Sequence, residues 1–204
     1  MRDYPEFFDD VEEIVVKDPL SDVLGTFKDG VIKIKYLAIV KMAGHSCPTV
    51  AGAYLMAVKG LKALYPDTLP VRGEIKVEFK EDESEGVAGV IGSVMTNITG
   101  ATEISGFKGL AGKHSRKDLM FFNSDINSSV RFTRLDTGKS VDVFYSHQKV
   151  PGNPLMNELM QKVLGGVATE NEKQSFGKLW QERVKKILCD FKDDEEVCRV
   201  VEVV

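Results

Sequence analysis

Two of the scarcest side chains in the chain, one His and one Cys, stand a single residue apart in Gly44-His45-Ser46-Cys47-Pro48. In extended backbone, residues i and i+2 face the same way, so the His45 imidazole and the Cys47 thiol can chelate a borderline-soft ion such as Zn²⁺ or Ni²⁺. Pro48 suits the first position of a helix, which predicts Cys47 at the N-cap. There the unsatisfied N–H groups and the positive end of the dipole favour a thiolate, poised for metal binding or for nucleophilic attack with His45 or His114 as base. Two donors do not complete a metal site. The pool for a third is short: His114 in a glycine-rich loop, His147 at a strand end, Cys189, Cys198 or a carboxylate. Packing is the competing explanation for a thiol, because free Cys is among the most buried residue types. It is the stronger one for Cys189, late in an amphipathic stretch, and for Cys198, in an apolar tail. Around His114, the cations Lys113, Arg116 and Lys117 could instead hold a small anionic ligand. Phosphate-loop and dinucleotide readings fail: Gly112-Lys113 is followed by His114, Gly138-Lys139-Ser140 has Thr133 where the earlier glycine belongs, and no G-x-G-x-x-G follows a strand. No Cys-X-X-Cys occurs.

The elements that must position these residues read as follows. Residues 4–15 space Phe7, Phe8, Val11, Ile14 and Val15 near the helical period, predicting a short amphipathic helix that stops at Asp18-Pro19. The segment VIKIKYLAIVKMAG predicts a strand entering the core, so the His-X-Cys turn is expected between a strand and the apolar, small-residue helix from Pro48 to Tyr65. GEIKVEFKE alternates with period 2 as a strand with one wet face, and Val87 to Ile98 predicts a second apolar helix ending at Thr99-Gly100. After the glycine-rich loop, DLMFF, SVRFTRL and VDVFYSH predict a three-strand meander with a turn at Asp136-Thr137-Gly138-Lys139. Asn153 to Leu164 predicts a helix, and Thr169 with Glu172 a capping box opening another. VCRVVEVV reads as an edge strand or an arm onto a second copy of the chain. This order predicts an α+β fold, helices packed on a mostly antiparallel sheet. The expected organisation is an N-terminal extension over 1–30, a core over 31–190 and a tail over 191–204.

Composition narrows the function classes. The chain has 204 residues, enough for one domain with additions, and 43% hydrophobic residues supply a core. A net charge of −4 argues against nucleic acid as the main partner. No run approaches the ~20 apolar residues of a membrane helix, and the acidic start is unlike an export signal. Three Cys, an odd number, do not suggest a disulfide framework, so a reducing, cytoplasmic setting is expected.

The segment AGHSCPTVAGAYLMAVKGLKAL resembles the core motif of the formylmethanofuran dehydrogenase E-subunit family, a Gly-His-X-Cys-Pro turn running into a small-residue helix. VAGVIGSVMTNITGATEISGFKGLAGKHSRKDLMFF is similar to that family's second helix, Thr-Gly turn and glycine-rich loop, and SVRFTRLDTGKSVDVFY to its closing hairpin, so the likeness covers roughly residues 35–190. The resemblance implies an α+β core, commonly a homodimer, with a cleft where the motif His and Cys bind a transition metal, most simply zinc with nickel as the alternative. By position these are His45 and Cys47, with His114 falling near the glycine-rich stretch as third ligand. The chain departs from the family in having Cys47-Pro48-Thr49 for Cys-Pro-Gly, in lacking thiols at Glu85-Gly86-Val87 and Thr99-Gly100-Ala101, and in lacking a C-terminal zinc-finger domain. These losses argue against paired-cysteine redox chemistry and for a stand-alone relative. The leading expectation is a metal-binding protein with an open coordination position suited to Lewis-acid or hydrolytic chemistry on an unidentified small molecule. The rivals are a Cys47 nucleophile and a non-catalytic module for a small anion.

Overall fold

The structure, a computed structural model, describes residues 3–203; Met1, Arg2 and Val204, the last residue of the predicted terminal strand, lie outside them. In chain order the elements are β1 (Ile14–Lys17), α1 (Pro19–Val23), β2 (Val31–Ile34), α2 (Tyr36–Ala43), α3 (Pro48–Leu64), β3 (Ile75–Phe79), α4 (Ala88–Thr99), β4 (Met120–Phe121), β5 (Val130–Arg134), β6 (Ser140–Tyr145), α5 (Met156–Leu164), α6 (Glu170–Lys185) and β7 (Cys198–Val203). β1 and β2 form an antiparallel pair, and the main sheet runs β4-β3-β5-β6-β7. Only β3 with β4 is parallel in that sheet; the other neighbours are antiparallel. The fold is α+β.

The core sits between the main sheet and α3. Alternation in β3, β5 and β6 turns Ile75, Val77, Phe79, Val130, Phe132, Val141 and Val143 to the buried face. The opposite face carries Arg131 and Asp142, directly opposed in register and joined by two 2.8 Å hydrogen bonds. α3 approaches closely because its sheet side carries glycine: a Cβ on Gly60 would run into Phe132 and Val143, and one on Gly52 into the Tyr145 ring. Tyr54, on another face of α3, donates its hydroxyl to Glu12 and Ile34 carbonyls at 2.8 Å, tying the small sheet to the core.

Three expectations change. Residues 4–15 form a 3₁₀ turn over Glu6–Asp9 followed by β1, because Phe7 and Phe8 insert into the core and the β-branched run Ile14-Val15-Val16 finds β2 as a partner. The strand predicted through residue 44 ends at Ile34; Tyr36 and Ile39, three apart and both buried, lie on one face of α2. DLMFF supplies only the two-residue β4, which pairs parallel to β3 rather than to β5, so the three-strand meander is not formed from those segments. The tail instead adds β7 along all of β6, as an edge strand.

Candidate functional site

The His-X-Cys turn lies between two helices. α2 ends at Gly44, whose φ of +75° only glycine adopts freely, and α3 begins at Pro48. Cys47 is the N-cap of α3 as expected: its backbone is extended, and its half-buried Sγ accepts the Val50 N–H at 3.4 Å. His45 is exposed, and its Nδ1 lies 3.0 Å from the Ala43 carbonyl, while Nε2 has no hydrogen-bond partner among the described residues. Ser46 between them is clamped on both sides. Its hydroxyl meets Tyr36 Oη at 2.9 Å, and its carbonyl accepts from Trp180 Nε1 and Gln181 Nε2, each at 3.1 Å. Tyr145, at the end of β6, donates its hydroxyl to the Pro48 carbonyl at 3.2 Å. α6, α2 and β6 thus fix the backbone of the turn, and the thiol and imidazole point where that backbone sends them.

Burial pushes the Tyr36 and Tyr145 hydroxyls well above the usual phenol range, with the nearby Cys47 thiol adding to both effects. Both therefore stay protonated at neutral pH, Tyr145 as a donor to the Pro48 carbonyl and Tyr36 in a hydroxyl–hydroxyl contact with Ser46 in which either oxygen can donate. A cleft of about 340 Å³ opens beside the head of α3. Met56, Phe79 and Ile91 supply its apolar lining, and Thr49, Ser128 and His147 its polar groups. Burial, and then the Arg183 charge, lower the His147 pKa, so its imidazole is neutral near pH 7. Cys47 does not itself line the cleft, but Thr49, two residues along, and Tyr145 do.

His114 is elsewhere. It lines a separate pocket with Arg72, Arg116 and Leu135, at the end of the sheet where β3 begins. Tyr65, just past α3, stacks under the Arg134 guanidinium at 4.1 Å at this same end. α3 is roughly 25 Å long at 1.5 Å per residue, and Cys47 caps its other end. Within one chain His45 and Cys47 share a turn and His114 does not join them. Among the described residues no three of His, Cys, Asp and Glu converge in a way that could hold a metal ion. The Cys198 thiol is buried and pushed up to about 11 by that burial, and Cys189 is raised by the same cause; Cys198 lies opposite Tyr145 in the β6–β7 register.

The sequence reading missed Trp180, Tyr36 and Tyr145 as the residues that hold the turn. Their contacts span 134, 10 and 97 positions. Only the position of Tyr145, two residues before His147, offered a local sign.

Among the described residues no helix is long and apolar enough to cross a membrane. In comparison with known families, the model of FmdE, molybdenum formylmethanofuran dehydrogenase operon, matches residues 42–198. No curated protein matches the chain.

Proposed function

The chain belongs to the FmdE family, and on that premise we propose that it is a cytoplasmic metal-binding protein whose centre lies at the head of α3. His45 and Cys47 are the donors one chain supplies, and zinc, with nickel as the alternative, is the metal. The observation that supports this most is Cys47 itself, a half-buried thiol at the N-cap of a long helix, beside an imidazole whose Nδ1 is engaged and whose Nε2 is open. A thiolate and an imidazole suit a borderline-soft ion, and the Ala43 carbonyl on Nδ1 sets the tautomer that leaves Nε2 as ligand.

The pair supplies only part of a four-coordinate site, so the remaining positions fall to solvent, a small-molecule ligand or a second copy of the chain. His114 enters the centre only from a second copy, which links the third-ligand and homodimer proposals. A bound ion with an open position supplies Lewis-acid activation. The chain itself supplies the neighbouring cleft, in which the protonated Tyr145 hydroxyl holds the first turn of α3 and the neutral His147 can accept a proton. All three cysteines are unpaired, which agrees with a reducing compartment.

Metal analysis of untagged protein tests this reading. Close to one equivalent of zinc or nickel per chain is expected, lost in Cys47→Ser and reduced in His45→Ala. No stoichiometric metal, or an unchanged content in Cys47→Ser, would sink it.

A second reading keeps the same thiol as a nucleophile, supported by its N-cap position and partial exposure. It predicts rapid, pH-dependent alkylation of Cys47 in the native protein, unaffected by added zinc. A thiol that reacts only after unfolding excludes it.

A further inference from the structure

At the end of α3 remote from Cys47, the structure gathers a buried and a partly buried guanidinium group around one buried carboxylate. Asp18, 3% exposed, receives Arg116 Nη2 at 2.6 Å and Arg72 Nη1 at 2.9 Å. Arg72 also reaches the Thr96 and Asn97 carbonyls through Nη2. Arg116 is only 6% exposed, yet its guanidinium donates through Nη2 alone; among the described residues no acceptor meets its Nε or Nη1. The head is seated by glycines: a Cβ on Gly73 would collide with Nη1 and Cζ of Arg116, and one on Gly100 would press on Nη1 and on Arg72. Its backbone is pinned as well, the N–H to the Phe107 carbonyl and the carbonyl to both the N–H and hydroxyl of Thr102. A pocket of about 240 Å³ opens over this pair, lined also by His114, Lys117 and, at its exposed side, Glu74.

A buried, positioned guanidinium with free in-plane donors is a feature that recognises oxyanions bidentately. Asp18 neutralises one of the two arginines; Glu74 makes no ion pair within 4 Å with the other among the described residues, although its charge acts on Arg116 from the pocket's exposed side. The volume is below the ~300–1,000 Å³ of sites for drug-sized ligands, so the fitting occupant is small. We propose that this pocket binds a phosphate group, with Arg116 as its principal donor and Lys117, whose ammonium is paired with Asp118 at 2.7 Å, at its rim. The site is separate from the one at the head of α3 and does not depend on the metal reading.

Isothermal titration of the full-length protein with inorganic phosphate, against chloride at matched ionic strength, tests the proposal, with methyl phosphate as a second arm to separate free phosphate from a phosphomonoester. Saturable binding of one phosphate per chain is expected. Lys117→Ala should weaken it about 3- to 5-fold, the effect of one partly exposed charge, and Glu74→Gln should tighten it. Arg116→Gln should abolish it, but that variant also disturbs a buried ion pair, so the two partly exposed variants carry the decision. Cys47→Ser should bind phosphate as the parent does, whatever its metal content. No saturable binding of either ligand, or identical affinities in the parent, Lys117→Ala and Glu74→Gln proteins, would overturn it.

Discussion

Gly52 is a single residue on which the site's geometry depends. It lies in the first turns of α3, where a side chain would occupy the space of the Tyr145 ring, whose hydroxyl holds the Pro48 carbonyl beside Cys47. Gly52→Ala brings opposing effects. Alanine gains ~0.8–1.0 kcal/mol of helix propensity over glycine, while forcing a methyl into a filled site costs about 1–3 kcal/mol. Net destabilisation of about 1 kcal/mol is expected, with the Tyr145 ring displaced from the cleft wall. Gly177 in α6 is the internal control, since a Cβ there meets nothing within 4 Å. Gly177→Ala should therefore stabilise by roughly 0.5–1 kcal/mol. Opposite shifts of the two urea midpoints confirm the packing argument. If both variants gain stability, Tyr145 is not held against α3 as the structure has it.

At the level of elements, legibility follows the range of the interactions. The head of α3 was readable because its determinants are adjacent: Pro48 fixes a helical φ, and Cys47 can cap only the helix that Pro48 begins. The capping box was readable for the same reason. Thr169 Oγ1 accepts the Glu172 N–H at 3.3 Å, and the Glu172 carboxylate returns to the Thr169 N–H at 2.8 Å, four positions containing the whole device. β1 was not readable, because Phe7, Phe8, Val11 and Ile14 fit a helical face equally well, and the choice is made by β2, paired from Ile14↔Ile34 to Lys17↔Val31. α2 was hidden by the converse ambiguity, a continuous apolar run that serves as buried strand or buried helix. β4 failed for a third reason. Parallel pairing with β3 requires the chain to return across more than forty residues, and no local pattern encodes that. At the site the same division holds. The donors His45 and Cys47 are local and were found, while the groups that orient them come from α6 and β6 and were not.

For the whole molecule, Asp18 joins parts that are distant in sequence, and this makes stability depend on acidity in a predictable direction. It caps α1 through the Leu20 and Ser21 N–H groups, meets Arg72 just before β3, and meets Arg116 under the glycine-rich loop. The neighbouring backbone adds to the junction, with Lys17 N–H on the Pro70 carbonyl and Arg72 N–H on the Lys17 carbonyl. Burial pushes the Asp18 carboxyl up, but the Arg72 hydrogen bond, the charges of Arg116 and Arg72, and the Ser21 N–H together outweigh it and hold the group below its ordinary value. A folded pKa below the unfolded one means that the unfolded chain binds more protons through the window between them. The contribution is therefore complete above the unfolded value, ~3.9, and is lost as pH falls through the folded value. Asp18→Asn removes the charge and leaves the buried Arg116 and the partly buried Arg72 around a neutral amide, a loss of about 3–5 kcal/mol at pH 7 for breaking the buried Asp18–Arg116 pair. Urea unfolding of both proteins from neutral pH down into the acid range provides the check. The gap between parent and variant should be widest near pH 7, hold to about pH 5, and narrow below ~4, where the unfolded parent's Asp18 carboxyl takes up its proton before the folded one does. A gap that stays constant into acid would mean that Asp18 supports the junction by shape and hydrogen bonding rather than by charge. A small gap at pH 7 would mean that the two arginines hold the N-terminal segment without it.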